Sequence, residues 1–388
     1  MSARRSSDKN SFARLLGKRT WLELDRTAVR TNFALFRKLI GPRVKLWTVV
    51  KSNAYGHGLV PFSKLADRSG VDGFCVDSII EGLRLRRENI ARPMLVLGPT
   101  LPDMFSKAAP ENIAVSVSTI EGLKAIAALA HPPDFHIKID TGMHRRGFYP
   151  KDLPAVIRQL KRARSEVRKR FVGAFTHFAA AKDLAYPTYT NDQFAAFEKA
   201  LEMFHRAGWP HLVRHAAATG GVLMNKKYHL DAVRLGIGSY GLWPSRELET
   251  ELGGTLRFRP VLAWRTVVTE LKHLRAGDFV GYDLTERITR PTLAAVLPIG
   301  YWHGFPRSLS SIGEVLVRGH RAKVLGRVSM DILVVDVTGS GARLGDEVTL
   351  IGSDGRAVLG AADVAARAGT THYEYLTRLN PLMEKVIV

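Results

Sequence analysis

From Thr27 to Ile40 the apolar residues Val29, Phe33, Phe36, Leu39 and Ile40 recur every three or four positions, a spacing that predicts an amphipathic helix. The GPR turn that follows leads into the uninterrupted apolar run VKLWTVV, residues 44–50, which predicts a buried strand. Short runs of the same kind return at Val71–Val76, Met94–Leu97, Ile113–Val117, Phe135–Ile139, Val172–Thr176 and Ala232–Leu235, with a weaker one at His211–Val213. That makes eight strands. Helical patterns lie between several of them. TIEGLKAIAALA follows Ser118, which with Glu121 reads as a capping box, and NDQFAAFEKALEMFHRAG places Phe194, Phe197, Leu201 and Phe204 on one face. Alternating units of this length predict an α/β fold with an N-terminal (β/α)8 barrel. A doubly wound sheet is the competing fold, but its glycine-rich fingerprint is missing from the first strand-to-helix turn.

After Trp243 the pattern changes. VLAWRTVVTEL, TLAAVLPIG, EVLVRG, AKVLGRV, ILVVDV and EVTLIG are β-branched or aromatic stretches broken by Gly, Asp and Ser, so a mainly β C-terminal domain is expected. Only the closing segment, AADVAARAGTTHYEYLTRLN, regains helical character. The expected division is a flexible tail over 1–19, a barrel over 20–243 and the β domain over 244–388.

Composition narrows the function classes. Of 388 residues, 46% are hydrophobic and 24% charged, which is globular and far from the signature of disorder. Lys and Arg number 57 against 36 Asp and Glu, a formal charge of +21 that favours anionic ligands without naming one. The densest basic run, RQLKRARSEVRKR at 158–170, lacks interleaved aromatics and reads as a solvated helix face rather than a nucleic-acid site. Cys75 is the only cysteine, which excludes an internal disulfide and a thiolate metal cluster, and no metal follows from the other residue spacings. No run approaches the eighteen apolar residues of a spanning helix, and the basic N-terminus lacks an apolar export segment. A soluble, cytoplasmic protein with no membrane or nucleic-acid partner is expected.

The segment VVKSNAYGHG is the most informative for chemistry. Lys51 directly follows a predicted barrel strand, while Asn53, Tyr55, Gly56 and Gly58 make a compact turn. A lysine at that end of a barrel strand faces the usual active-site mouth, where it could serve as a Schiff-base nucleophile for pyridoxal phosphate, but position alone favours an ordinary surface lysine.

WLELD, VVKSNAYGHG, KIDTGMHRRG, FTHFA, VRLGIGSYG, PIGYWHG, GRVSMD and THYE together resemble the alanine racemase family of fold type III pyridoxal-phosphate enzymes, over nearly the whole chain after the tail. The resemblance implies a homodimer with shared active sites and a small amino-acid substrate. In bacteria such enzymes supply D-alanine for peptidoglycan precursors. It makes Lys51 the cofactor lysine and one catalytic base, and Tyr282, from the opposite subunit, the other. Two bases suit racemisation, because one face of the α-carbon must lose a proton and the other must gain one. By the same resemblance the cofactor is held by Tyr55, His177, Thr219, Arg234, Gly236, Ile237 and Tyr373, with Arg234 facing the pyridine nitrogen. Arg145, Met330, Asp331 and the gate residue Tyr301 would meet the substrate. Lys138 matches a lysine that is commonly carbamylated and orients the arginine at 145.

Several residues depart from the family pattern. Ala218 and Thr219 replace an Asn-Ser pair, His144 a glycine, Gly281 and Asp283 a serine and a glycine, Trp302 and His303 an alanine and an aspartate, and Ser329 a cysteine. Most lie near the expected substrate entrance, so a racemase for serine, basic or a broader range of amino acids is a second expectation. A non-catalytic cofactor carrier or regulatory protein is a third.

Overall fold

A computed structural model describes residues 17–388. Its chain forms two compact units, 26–261 and the described residues before 26 together with 262–388.

In the first unit eight strands form one parallel sheet: β1 Lys45–Val49, β2 Gly73–Val76, β3 Met94–Val96, β4 Ile113–Val117, β5 Phe135–Lys138, β6 Phe171–Phe175, β7 Val213–His215 and β8 Ala232–Leu235. Strands β1 to β7 pair in sequence order, and β8 pairs with β1 along Lys45–Thr48. Between β7 and β8 the amides of Asp231 and Arg234 donate to the carbonyls of Arg214 and Ala217, each at 3.0 Å, so the barrel is nearly closed. The helix Arg26–Ile40 buries Val29, Phe33 and Phe36, as its period predicts. Each such side chain removed from water stabilises the unit by about 1.5–3 kcal/mol.

Side chains alternate across a strand, so one set fills the barrel interior. Trp47, Val49, Cys75, Leu95 and Ala232 form an apolar cluster there. His136 and His215 lie edge-on to Trp47, with ring centroids 5.9 and 5.1 Å away. This close approach needs glycine at 173, where a Cβ would come within 2.2 Å of His136 Nδ1.

Three local readings change. The seventh strand lies at Val213–His215, where it pairs with Gly173–Phe175, and not at 211–213. The helix Ile120–Ala128 is capped by Thr119, whose hydroxyl accepts from Gly122 N at 3.0 Å, while the Ser118 hydroxyl accepts from Arg146 Nε at 2.9 Å. The unit boundaries also differ from those expected. Thr20–Leu24 pairs antiparallel with Leu262–Val267 and parallel with Glu384–Ile387, so it runs in the β-rich unit. Residues 244–261 stay with the barrel, where Phe258 stacks on Phe36 at 5.2 Å and Arg259 N donates to Asn32 Oδ1 at 2.9 Å. Of the tail expected over 1–19, residues 1–16 lie outside the described residues.

The second unit holds a seven-stranded sheet, a three-stranded sheet of Glu270–Leu274, Thr292–Leu297 and Leu333–Asp336, and a ribbon of Phe279–Val280 with Glu286–Arg287. Its helices Ala361–Arg367 and His372–Thr377 fall in the closing segment that the sequence marks as helical.

Candidate active site

Lys51 leaves the C-terminal end of β1 and enters an unusual turn. Ser52, Asn53, Ala54 and Tyr55 all have left-handed backbones, with φ of 55°, 57°, 52° and 51°. Left-handed geometry costs roughly 1–2 kcal/mol per non-glycine residue, so the turn needs external support. Ala54 N donates to Val50 O at 2.8 Å, Leu59 N to Asn53 Oδ1 at 2.8 Å, and Ser52 N to Glu81 Oε1 at 2.8 Å. The other oxygen of Glu81 accepts from Asp77 N at 2.7 Å, tying the turn after β1 to the loop after β2. Lys51 Nζ lies 3.4 Å from Asp77 Oδ1.

Arg234, on β8, is buried, and both terminal nitrogens of its guanidinium are engaged. Its guanidinium donates to the carbonyls of Thr176, His215 and Ala216 at 2.8, 3.0 and 2.9 Å, to Nδ1 of His215 at 2.7 Å and to Nδ1 of His177 at 3.4 Å. Burial lowers its pKa to about 10, which leaves it cationic at neutral pH. Burial, reinforced by Arg234, pulls His136 and His177 down to about 3 and His215 well below its ordinary value. All three imidazoles are therefore neutral. Because Nδ1 of His215 accepts from Arg234, its Nε2 carries the proton and donates to His136 Nδ1 at 2.9 Å.

Lys138 ends β5, buried, with Nζ donating to Arg146 O at 2.6 Å. Burial is the main cause of its pKa falling to about 8, with Arg234, Arg145 and Arg146 adding to the effect against Asp140. Asp140 shapes the following turn by accepting from the amides of Gly142, His144, Arg145 and Arg146 at 2.9 to 3.2 Å, which leaves the Arg145 side chain exposed.

On the other side of the mouth the Thr219 hydroxyl accepts from Gly238 N at 3.2 Å, so its own proton remains for another acceptor. Burial raises Tyr55 to about 12 and keeps it a neutral hydroxyl. A Cβ at Gly236 would lie 3.0 Å from that hydroxyl, which marks a close cradle between the two. Gly236 and Ile237 begin the turn that Gly238 continues.

These groups fit pyridoxal phosphate. An amine stands where an aldehyde could be bonded, two neutral hydroxyls and a narrow glycine turn suit a phosphate, and Arg234 supplies a cation that cannot readily release its proton.

Tyr282, Tyr301, Met330, Asp331 and Tyr373 belong to the second unit. Three of them come together: Tyr301 N donates to Ser329 O at 3.0 Å, Trp302 N to Met330 O at 3.1 Å, and His303 Nδ1 lies 3.9 Å from Asp331 Oδ1. Tyr282 is 68% exposed and begins a turn in which Asp283 and Leu284 are left-handed. Tyr373 lies on the helix His372–Thr377, after which Asn380 Nδ2 donates to Trp302 O at 3.0 Å. Sequence reasoning missed His136, His215, Asp77 and Glu81. A usable signal existed for His136, which is two residues before Lys138 on one strand and so shares its face.

A parallel eight-stranded barrel with a β-rich second unit and a lysine leaving its first strand defines the fold type III class of pyridoxal-phosphate enzymes. Two family models agree with that class: alanine racemase, N-terminal domain, matches residues 24–244, and alanine racemase, C-terminal domain, matches 261–387. The alanine racemase of Leptospira interrogans is 34% identical over 376 residues, covering 95% of this chain and 96% of that protein. That of Symbiobacterium thermophilum is 37% identical over 361 residues, covering 92% and 93%. Among solved structures, alanine racemase from Bacillus anthracis with bound L-Ala-P superposes with a TM-score of 0.89 at 32% identity, covering 96% of this chain and 95% of the other. The Streptomyces lavendulae enzyme gives 0.87 at 32%, covering 96% and 97%. The chain belongs to the alanine racemase family.

Proposed function

We infer that this chain interconverts L-alanine and D-alanine with pyridoxal 5′-phosphate as cofactor. The observation that carries the reading is Lys51 at the exit of β1, in a strained and externally braced turn, on the same barrel that buries Arg234 among neutral imidazoles.

Tyr55, Thr219 and the turn at Gly236 and Ile237 would hold the phosphate, and the family pattern gives Tyr373 the same role. By the family pattern His177 would contact the ring, and Arg234 would interact with its nitrogen. When bound, the cofactor supplies a conjugated ring that takes up the electron pair left on the α-carbon. Arg234 restrains protonation of the ring nitrogen, which favours simple proton transfer over other outcomes. In the L-to-D direction Tyr282 removes the α-proton from one face and Lys51 returns one from the other; the roles exchange in reverse. Arg145 and the loop at Met330 and Asp331 receive the substrate carboxylate, and Tyr301 narrows the entrance. Lys138, whose pKa burial lowers to about 8, is the amine that would add carbon dioxide, release a proton to solvent and become a carbamate.

The working unit is a homodimer in which each copy lends Tyr282 to the other. Exposed apolar side chains in the second unit, Phe279, Leu284, Trp302, Met330 and Ile332, support a covered surface there. A cytoplasmic location without membrane or nucleic-acid partners belongs to the same reading; among the described residues no helix is long and apolar enough to cross a membrane.

Proton exchange in heavy water tests the two-base assignment. Tyr282→Phe is expected to load cofactor normally, to lose racemisation, and to keep α-proton exchange of D-alanine through Lys51. Normal racemisation by that variant would reject the role of Tyr282. A racemase acting on serine, a basic or a broader range of amino acids is the second reading, favoured by the departures from the family pattern at His144, Trp302 and His303.

A further inference from the structure

The mouth of the barrel is crowded with cations. Lys51, Lys138, Arg145, Arg146 and Arg234 all come from strand ends or the loops after them, and His177, whose neutrality is enforced partly by the charge of Lys51, offers no compensation. Three carboxylates accompany them, and two are committed to backbone. Asp140 accepts from four amides of its own turn. Glu81 accepts from Ser52 N and Asp77 N. Asp77 alone of the three turns its carboxylate to a side-chain ammonium, with Oδ1 3.4 Å from Lys51 Nζ.

The placement of Asp77 is built rather than accidental. Its amide is fixed by Glu81 at 2.7 Å, and its carbonyl accepts from Gly98 N at 3.0 Å. A Cβ at Gly98 would lie 2.1 Å from that carbonyl oxygen, so a side chain there would displace the Asp77 loop. The same Glu81 carboxylate fixes the turn that carries Lys51, so donor and acceptor of the ion pair are referred to one anchor. Arg146 lies near enough to feel the Asp77 charge, while its guanidinium is spent on Leu97 O, Ser116 O and the Ser118 hydroxyl.

We propose that Asp77 is a positioning residue for Lys51: its carboxylate collects the lysine ammonium at the barrel mouth whenever that amine is not bonded to cofactor. The inference rests on the reading of Lys51 as the cofactor lysine. Without the carboxylate, a flexible four-carbon side chain would carry its charge among four other cations and be driven outward. With it, the amine waits beside the place where it must react. The pairing has a chemical cost, because an ion-paired amine must leave its carboxylate before it can react with another electrophile.

That cost provides the test. The full chain, stripped of cofactor, is treated with trace acetic anhydride, and acetylation of the Lys51 peptide is measured by mass spectrometry relative to the other lysines. An exposed pair is worth little, so Asp77→Asn is expected to speed Lys51 labelling about threefold to fivefold. Asp77→Glu, which keeps a carboxylate within reach, should label at close to the native rate. Equal labelling of native and Asp77→Asn protein would overturn the proposal, as would Asp77→Glu labelling as fast as Asp77→Asn. In parallel, native protein loaded with pyridoxal phosphate is reduced with borohydride and mapped. An adduct on Lys51 keeps the underlying reading whatever the labelling shows; an adduct on another lysine removes both.

Discussion

Arg234 donates to Nδ1 of His215 at 2.7 Å, and through that one contact the buried cation fixes the tautomer of two imidazoles in the barrel interior. His215 is consequently a donor to His136, and both rings stay neutral beside a charged guanidinium. The arrangement aims Arg234 without offering it a base strong enough to take its proton.

Replacing His215 with Leu removes a hydrogen bond to a charged group, worth about 1.5–3 kcal/mol, and leaves His136 without that partner. Cofactor affinity is expected to fall roughly tenfold or more as Arg234 loses its alignment. Titration of the stripped variant with pyridoxal phosphate checks this, and unchanged affinity would remove His215 from the account.

The neutral histidines also set an acid limit. His57, lowered to about 4, joins His136, His177 and His215, each buried with a folded pKa below its ordinary value. The folded state therefore binds fewer protons than the unfolded chain below about pH 6.5. The neutral-His contribution is complete above that value and is lost as pH falls toward 4, by about 1.4 kcal/mol per histidine per pH unit. Urea midpoints should be flat between pH 7 and 8 and drop steeply between pH 6 and 4. A midpoint unchanged down to pH 4.5 would show that these imidazoles are not neutral in the folded chain.

Glu81→Ala should unfasten the left-handed turn from the loop after β2. Two amides lose their acceptor, so a destabilisation of about 1–3 kcal/mol is expected, together with slower cofactor capture. Denaturant unfolding and stopped-flow absorbance read the two effects. A stable variant with native capture would mean that the turn holds itself.

Gly238→Ala tests the phosphate cradle. The new Cβ would lie 2.5 Å from Phe36 Cζ and 2.6 Å from Thr219 Cγ2, so the turn must move away from the Thr219 hydroxyl. Weaker binding of pyridoxal phosphate than of the phosphate-free aldehyde, relative to native protein, is the expected signature. An equal loss for both ligands would place the damage elsewhere.

The barrel was readable because its strands are short, apolar and regularly spaced, and seven of the eight lie where their hydrophobic runs predict. His211–Val213 misled by two residues, since its three-residue strand is set by pairing to Gly173–Phe175 rather than by its own pattern. Thr20–Leu24 looked like a barrel segment because local pattern cannot reveal a partner more than two hundred residues away. At the site, Lys51 and its turn stood out through their motif, and Arg234 through the family pattern. His215 and Glu81 did not, because one acts through another side chain and the other through backbone amides, neither of which leaves a spacing signature.

The most direct test of the central claim is chiral chromatography after the purified protein, loaded with pyridoxal phosphate, is incubated separately with L-alanine, L-serine, L-lysine and L-arginine. The account predicts D-alanine approaching equality with L-alanine, little D-product from the other three, and none from Lys51→Ala. Preferential conversion of another amino acid, or no D-alanine from fully loaded protein, would contradict it.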